Sequence, residues 1–181
     1  MKINELLNLE AKFILVGCDS AKERDGMSEF YHVLVNFLNE EPIEILELEI
    51  RGLFLVALKN DPAKITQHIA KIISEKKFNF ISCKKLTPLN NIVKSSLNEL
   101  GDVITDEVTK IPDNAKWKIS VNRRHASIKR NDIIELIASH SSAPKGKVDL
   151  ENPEWEIIIE VFGGWIGYGA FPSNSIVAIK E

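Results

Sequence analysis

Residues 11–86 alternate between strand-like and helix-like hydrophobic spacing, and this alternation most constrains the fold. An apolar run at residues 11–17 is typical of a buried strand. Apolar side chains at helical spacing follow in residues 24–39, and Pro42 ends the predicted helix. Two strands are then predicted at residues 43–50 and 53–58, and Arg51-Gly52 joins them as a hairpin turn.

A second helix and a fourth strand complete this first half. Asp61 is predicted to cap the helix, with Pro62 at its first position, and isoleucines recur along one face. Residues 78–86 are predicted to form the strand. The order strand, helix, strand, strand, helix, strand is that of a ferredoxin-like domain. We therefore expect an α+β protein with a ferredoxin-like domain at residues 1–86, a boundary near Pro88 and a second domain at residues 87–181.

The second half mixes helices and strands in a different order. A helix is predicted over residues 92–110, bent near Gly101, with an inner stripe of Leu97, Leu100, Ile104 and Val108. From Trp117 to Asn122 apolar and polar residues alternate as in a strand. Asn131-Asp132 is predicted to cap a short helix. Strands are predicted at residues 147–150, 155–161 and 165–171, the last two forming a hairpin.

The charge is unevenly distributed along the chain. The 181 residues carry a formal net charge of −3, which argues against a polybasic coating protein. Residues 116–130, however, contain six basic side chains and no acidic one. The sequence allows two interpretations of this window, a phosphate-binding surface or an ordinary solvated face. The candidate nucleic-acid contacts are Lys116, Lys118, Arg123, Arg124, His125, Lys129 and Arg130, with Lys84, Lys85, Lys145 and Lys147 at the rim.

Residues 163–171 combine glycines with aromatic side chains. The glycine spacing fits neither a dinucleotide-binding motif nor a phosphate loop. Trp165, Tyr168 and Phe171 could stack on exposed bases or could belong to the core. The sequence leaves both possibilities open.

No catalytic or metal-binding pattern is recognisable. The four histidines, His32, His68, His125 and His140, lack the spacing of metal ligands. The glutamates of residues 44–49 suit the wet face of a strand, and no serine–histidine–aspartate arrangement is readable. Cys18 and Cys83 are predicted to lie on neighbouring strands as buried thiols. We expect no cofactor, no catalytic residue and no metal site.

No apolar run reaches the ~20 residues that a bilayer span needs, and the first ten residues do not resemble a signal peptide. Two cysteines cannot form a disulfide framework. We therefore expect a cytoplasmic protein without membrane contact.

One segment of the second half resembles a known family. Residues 147–153 (KVDLENP) and the following residues 155–161 (WEIIIEV) resemble the signature of the THUMP domain. Residues 121–125 (VNRRH) resemble the basic segment before the middle helix of that domain. THUMP domains commonly follow a ferredoxin-like domain, so the resemblance extends over nearly the whole chain. It implies an RNA-binding module of a protein involved in tRNA modification.

The length suggests a stand-alone member, because 181 residues leave no room for a catalytic domain beyond this pair. Residues 17–24 (GCDSAKER) are similar to the corresponding segment of the tRNA acetylation adaptor family. That resemblance implies a non-catalytic tRNA-binding protein that assists an RNA cytidine acetyltransferase in forming 4-acetylcytidine. The alternatives are an RNA-binding subunit of another tRNA-modifying enzyme, a methyltransferase or a thiolase, and a protein-interaction module.

Overall fold

Strand β1 (Lys12–Cys18) lies at the centre of the first of two sheets in the computed structural model, which describes residues 1–180. The chain divides into two units, residues 1–89 with the segment that begins at Asn174, and residues 90–173. The expected division is residues 1–86 and 87–181. In the structure the first unit extends to Leu89 and also contains the segment that begins at Asn174. The α+β fold class is confirmed.

The first unit contains a split β-α-β core. Its elements are α1 (Ile3–Leu7), β1, α2 (Glu23–Phe37), β2 (Glu44–Glu47), β3 (Leu53–Leu58), α3 (Pro62–Ser74) and β4 (Cys83–Leu89), and the last strand of the chain, β9 (Val177–Ala178). The sheet order is β2-β3-β1-β4-β9, and all its pairs are antiparallel. Four strands and two helices thus have the predicted ferredoxin-like arrangement.

Helix α3 begins where its sequence predicts. The Asp61 side chain accepts a hydrogen bond of 2.9 Å from the Ala63 N–H, and Pro62 occupies the first turn. Ile65, Ile69 and Ile72 are buried in the core of the first unit. Helix periodicity and capping therefore give the correct element here.

The fourth strand begins later than predicted. Phe78 and Phe80 lie before the strand. Their rings pack against each other with centroids 4.9 Å apart, so their apolar side chains do not mark strand residues. Pro88, expected at a domain boundary, lies inside β4 opposite Ile14 of β1. Proline is tolerated there because β9 pairs with Lys85 and Leu86 and not with Pro88, so no strand on that side needs the missing N–H.

The second unit is built around a four-stranded sheet. Its elements are β5 (Asn91–Lys94), α4 (Leu97–Val103), α5 (Thr105–Val108), β6 (Trp117–Arg124), α6 (Arg130–Ala138), β7 (Trp155–Phe162) and β8 (Trp165–Pro172). The sheet order is β5-β8-β7-β6. The β6–β7 pair is parallel, whereas β7 and β8 form the predicted antiparallel hairpin.

The helix predicted over residues 92–110 is wrong in its extent. Residues 91–94 form β5, and the Ser96 hydroxyl then accepts from the Glu99 N–H at 3.4 Å and caps α4. The break between α4 and α5 falls at Ile104 rather than at Gly101, within a run of three β-branched residues that lowers helix propensity. Leu100, Ile104 and Val108 are nevertheless buried, as the spacing predicts.

Helix α2 is the longest helix, with 15 residues. Across residues 1–180, no helix combines the length and the hydropathy that a membrane span requires.

A single carboxylate organises the chain just before β4. Glu29 of α2 accepts hydrogen bonds of 2.9–3.1 Å from the N–H groups of Ile81, Ser82 and Cys83. Ile81 and Ser82 precede β4 and Cys83 is its first residue, so these N–H groups lie where strand pairing only begins, and Glu29 supplies their partner. We expect Glu29→Ala to lower the free energy of unfolding by about 1–3 kcal/mol.

Chemical denaturation of the full chain measures this loss. Ser28→Ala changes the exposed neighbour on the same helix and should shift the free energy of unfolding by no more than about 0.5 kcal/mol. Equal stability of the two variants would show that the Glu29 carboxylate is not needed to hold this segment.

Candidate nucleic-acid interface

Five of the predicted contact residues lie together at the carboxyl end of β6. Arg123 and Arg124 are the last two residues of the strand, His125 follows it, and Lys129 and Arg130 lie at the start of α6. All five are exposed. We call this group the basic end. It contains four Lys and Arg residues. Its acidic neighbours include Asp132 in the first turn of α6 and Glu160 of β7, which accepts a hydrogen bond of 3.0 Å from the Asn122 side chain.

Two guanidinium groups fix the loop between β6 and α6. Arg123 Nη1 donates to the Ile128 carbonyl at 2.9 Å, and Arg130 Nη1 donates to the Val121 carbonyl at 3.1 Å. Each guanidinium has five N–H donors, so these bonds leave further donors for an anion. Arg123 and Arg130 therefore hold the loop and keep N–H donors that these two bonds do not use.

The backbone of the basic end has two unusual features. His125 has a φ of 51°, in the left-handed region that residues other than glycine rarely adopt. Lys129, and not the predicted Asn131-Asp132, occupies the N-cap of α6, and its side chain makes no capping hydrogen bond. The first N–H groups of α6 thus lack a side-chain cap, and they add to the attraction for anions. The sequence does not indicate this uncapped helix start, because Asn131 and Asp132 are residues that commonly cap a helix and were expected to do so here.

The remaining predicted residues lie elsewhere. Lys116, Lys145 and Lys147 lie at the amino end of β6, where Lys147 O accepts from the Trp117 N–H at 3.1 Å. Lys118 is half-buried inside the strand. Seven residue steps separate Trp117 from Arg124, about 23 Å of extended chain. The structure therefore divides the predicted basic set into two groups at opposite ends of one strand.

The lysines at the amino end are close to acidic groups. Lys116 Nζ lies 3.9 Å from Asp149 Oδ2, and the Lys116 N–H donates to Glu154 Oε1 at 3.0 Å. Asp149 Oδ1 also accepts from the N–H groups of Asn152 and Glu151 at 2.9 and 3.0 Å. These bonds, with Lys116 and Lys147 nearby, hold the pKa of Asp149 below its usual value. The charge of Lys116 is therefore partly offset by Asp149.

The segment predicted as a strand at residues 147–150 forms one isolated bridge, between Val148 and Trp117. Asp149 draws the following N–H groups into a turn, so the strand cannot continue.

The aromatic residues of the β7–β8 hairpin are mostly core. Tyr168 and Phe171 are 4% and 3% exposed. Burial raises the pKa of Tyr168 to about 12, with Glu107 and Asp106 adding to the shift. Neither ring is open to a base, whereas Trp165 is half-buried beside the Gly163-Gly164 turn.

The other rim residues, Lys84 and Lys85, belong to β4 of the first unit. Cys18 and Cys83 are register partners on β1 and β4, as predicted. Cys83 is buried, which raises the pKa of its thiol, whereas Cys18 is half-buried and not buried as expected. Cys83 Sγ contacts the Gly26 carbonyl at 3.3 Å. In residues 1–180 no group of three or more His, Cys, Asp or Glu side chains is arranged to hold a metal ion.

Residues 97–167 match the sequence family of the THUMP domain. The chain therefore contains a THUMP domain, which runs from the start of α4 into β8 and includes the basic end. No curated protein matches the chain in sequence.

Solved structures share the fold at low sequence identity. PH1313 from Pyrococcus horikoshii has a TM-score of 0.61 at 15% identity, over 88% of this chain and 54% of that one. A 4-thiouridine synthetase, solved in complex with RNA and ATP, has a TM-score of 0.53 at 12% identity, over 93% and 42%. TrmN from Thermus thermophilus has a TM-score of 0.53 at 10% identity, over 88% and 45%. The chain thus spans about half the length of these structures.

Gly146 is packed too tightly to accept a side chain. A Cβ there would lie 1.9 Å from the Ala115 carbonyl oxygen, and the Gly146 carbonyl accepts from Trp117 Nε1 at 2.8 Å. We expect Gly146→Ala to lower the free energy of unfolding by about 1–3 kcal/mol, because the backbone must move apart. Denaturant titration of the full chain measures the effect.

Gly164→Ala is the matched control, since a Cβ at Gly164 would meet no atom within 4 Å. We expect its stability to be unchanged or up to about 1 kcal/mol higher. A Gly146→Ala protein as stable as the Gly164→Ala protein would contradict the close approach.

Proposed function

We propose that this protein is a non-catalytic tRNA-binding adaptor that presents tRNA to an RNA cytidine acetyltransferase for 4-acetylcytidine formation. The observation that carries the RNA-binding part is the basic end, which lies within the THUMP domain of residues 97–167. The resemblance of residues 147–161 to the THUMP signature implies that this domain binds RNA. The adaptor part rests on the similarity of residues 17–24 to the acetylation adaptor family. These residues run from the end of β1 into the first turn of α2.

The basic end supports contact with phosphates. Arginine forks match phosphate oxygens in two-point contacts, and a helix N-terminus adds backbone donors. We infer that Arg123, Arg124, Lys129 and Arg130 bind the backbone of the RNA and that His125 is positioned among them. An RNA strand that runs along β6, the edge strand of this sheet, would also reach the lysines at its amino end, Lys116, Lys145 and Lys147.

A second candidate is supported by the shared fold with the 4-thiouridine synthetase and with TrmN. In that case the chain binds tRNA for another modifying enzyme, a thiolase or a methyltransferase. Both candidates place RNA at the basic end and differ in the nucleoside that is made.

Charge reversal of Arg124 and Lys129 tests the RNA contact. The structure gives their side chains no hydrogen bond among residues 1–180, and an acidic residue at the start of α6 favours the helix, so the fold should persist. We expect Arg124→Glu/Lys129→Glu to weaken binding of deacylated tRNA by at least about tenfold. The slope of log affinity against log salt should fall in magnitude by roughly 1.5, the value for two lost phosphate contacts.

Lys59→Glu/Lys64→Glu makes the same charge change at two exposed residues of the first unit and should leave the affinity within about twofold. Gel shift and fluorescence anisotropy at several salt concentrations give both quantities. Equal losses in the two double variants would show that only net charge matters and that the basic end is not the binding surface.

The nucleosides of tRNA from a deletion strain test the partner. We expect the loss of 4-acetylcytidine, measured by mass spectrometry, and its return when the wild-type gene is restored. The Arg124→Glu/Lys129→Glu gene should not restore it. Loss of 4-thiouridine or of a methylated nucleoside, with 4-acetylcytidine intact, would favour the second candidate.

A further inference from the structure

Strand β2 is one edge of the first sheet. Its residues Glu44–Glu47 pair with β3, and among residues 1–180 the sheet order places no strand on the other side. An edge strand presents unpaired N–H and C=O groups, to which another extended chain can pair. No residue of β2 is buried.

A groove lies beside this edge, between α2 and the segment that leads into β2. Its volume is about 380 Å³, and its lining residues are Met27, Ser28, Tyr31, Glu41, Pro42, Glu44 and Ile45. Met27, Pro42 and Ile45 make it partly apolar. Tyr31 is 44% exposed, and its hydroxyl donates to Glu41 Oε1 at 3.2 Å. The lining therefore combines apolar side chains, which can bury an apolar group, with polar groups that can orient a ligand.

The charge around the groove is negative. Residues 39–49 contain five glutamates and no lysine or arginine. Glu47 has an exposed ion pair with Arg24 at 3.8 Å. Among residues 1–180, the Glu44 side chain has neither a hydrogen bond nor an ion pair. This surface repels phosphate and matches a ligand with lysine or arginine side chains.

We propose that β2 and its groove bind an extended, basic segment of a partner protein. The segment pairs with β2 as an added strand, which supplies main-chain hydrogen bonds. One apolar side chain enters the groove between Met27 and Ile45, and basic side chains on the segment lie against Glu41 and Glu44. The groove is formed by residues of the first unit and the basic end by residues of the second, so the two proposed binding functions use different residues.

A synthetic peptide tests the charge preference. The probe is a fluorescein-labelled octapeptide that alternates lysine and valine, and the comparison peptide alternates glutamate and valine. We expect the full-length protein to bind the lysine peptide and not the glutamate peptide in fluorescence anisotropy. Glu44→Lys should weaken the binding at least about tenfold, whereas Glu10→Lys, the same change at an exposed residue elsewhere in this unit, should alter it by no more than about twofold.

Hydrogen exchange tests the strand pairing. On binding of the lysine peptide, amides of Glu44–Glu47 should exchange more slowly, which charge attraction alone would not cause. Equal binding of both peptides, no binding at all, equal effects of Glu44→Lys and Glu10→Lys, or unchanged exchange in β2 would each overturn the proposal. So would a loss of tRNA affinity in Glu44→Lys, which would assign the groove to RNA. The affinity for tRNA is measured on the same variants, so a failure here is distinct from a failure of the proposed function.

Discussion

Parallel pairing of β6 with β7 is the constraint on which the basic end depends. Two parallel neighbours need a crossover connection, and here α6 lies within it. The crossover begins where β6 ends, so the last residues of the strand and the first turn of α6 lie together at the carboxyl end of β6. Arg124 and Lys129 come together for this topological reason.

The loop between β6 and α6 depends on the same arginines that we propose as contacts to an anion. Arg123 and Arg130 each reach a backbone carbonyl, and His125 turns the chain through a left-handed conformation. These contacts restrain the loop, and groups that are already restrained lose less entropy when a ligand binds. Removing Arg123 would therefore disturb both the loop and the charge, whereas Arg124 and Lys129 separate the two effects.

Much of the fold follows from local patterns. Asp61-Pro62 gives the start of α3, and the alternation in residues 155–171 gives the β7–β8 hairpin. The missed elements depend on distant partners. The pairing of β5 with β8 and of β9 with β4 converts short segments without a strong pattern into strands. The segment before β4 is apolar, yet it forms no strand there, because Glu29 of α2 accepts hydrogen bonds from N–H groups that would otherwise pair with a neighbouring strand. The basic window is readable from composition, but its division between two strand ends requires the register of the sheet.

The central claim, that RNA binds at the basic end, is tested most directly by following backbone amides in NMR spectra of the full chain as deacylated tRNA is added. Amide signals of residues 124–132 should shift or broaden first and most strongly, and those of residues 145–147 should respond less. Amide signals at the basic end that stay unchanged while tRNA is bound would contradict the account.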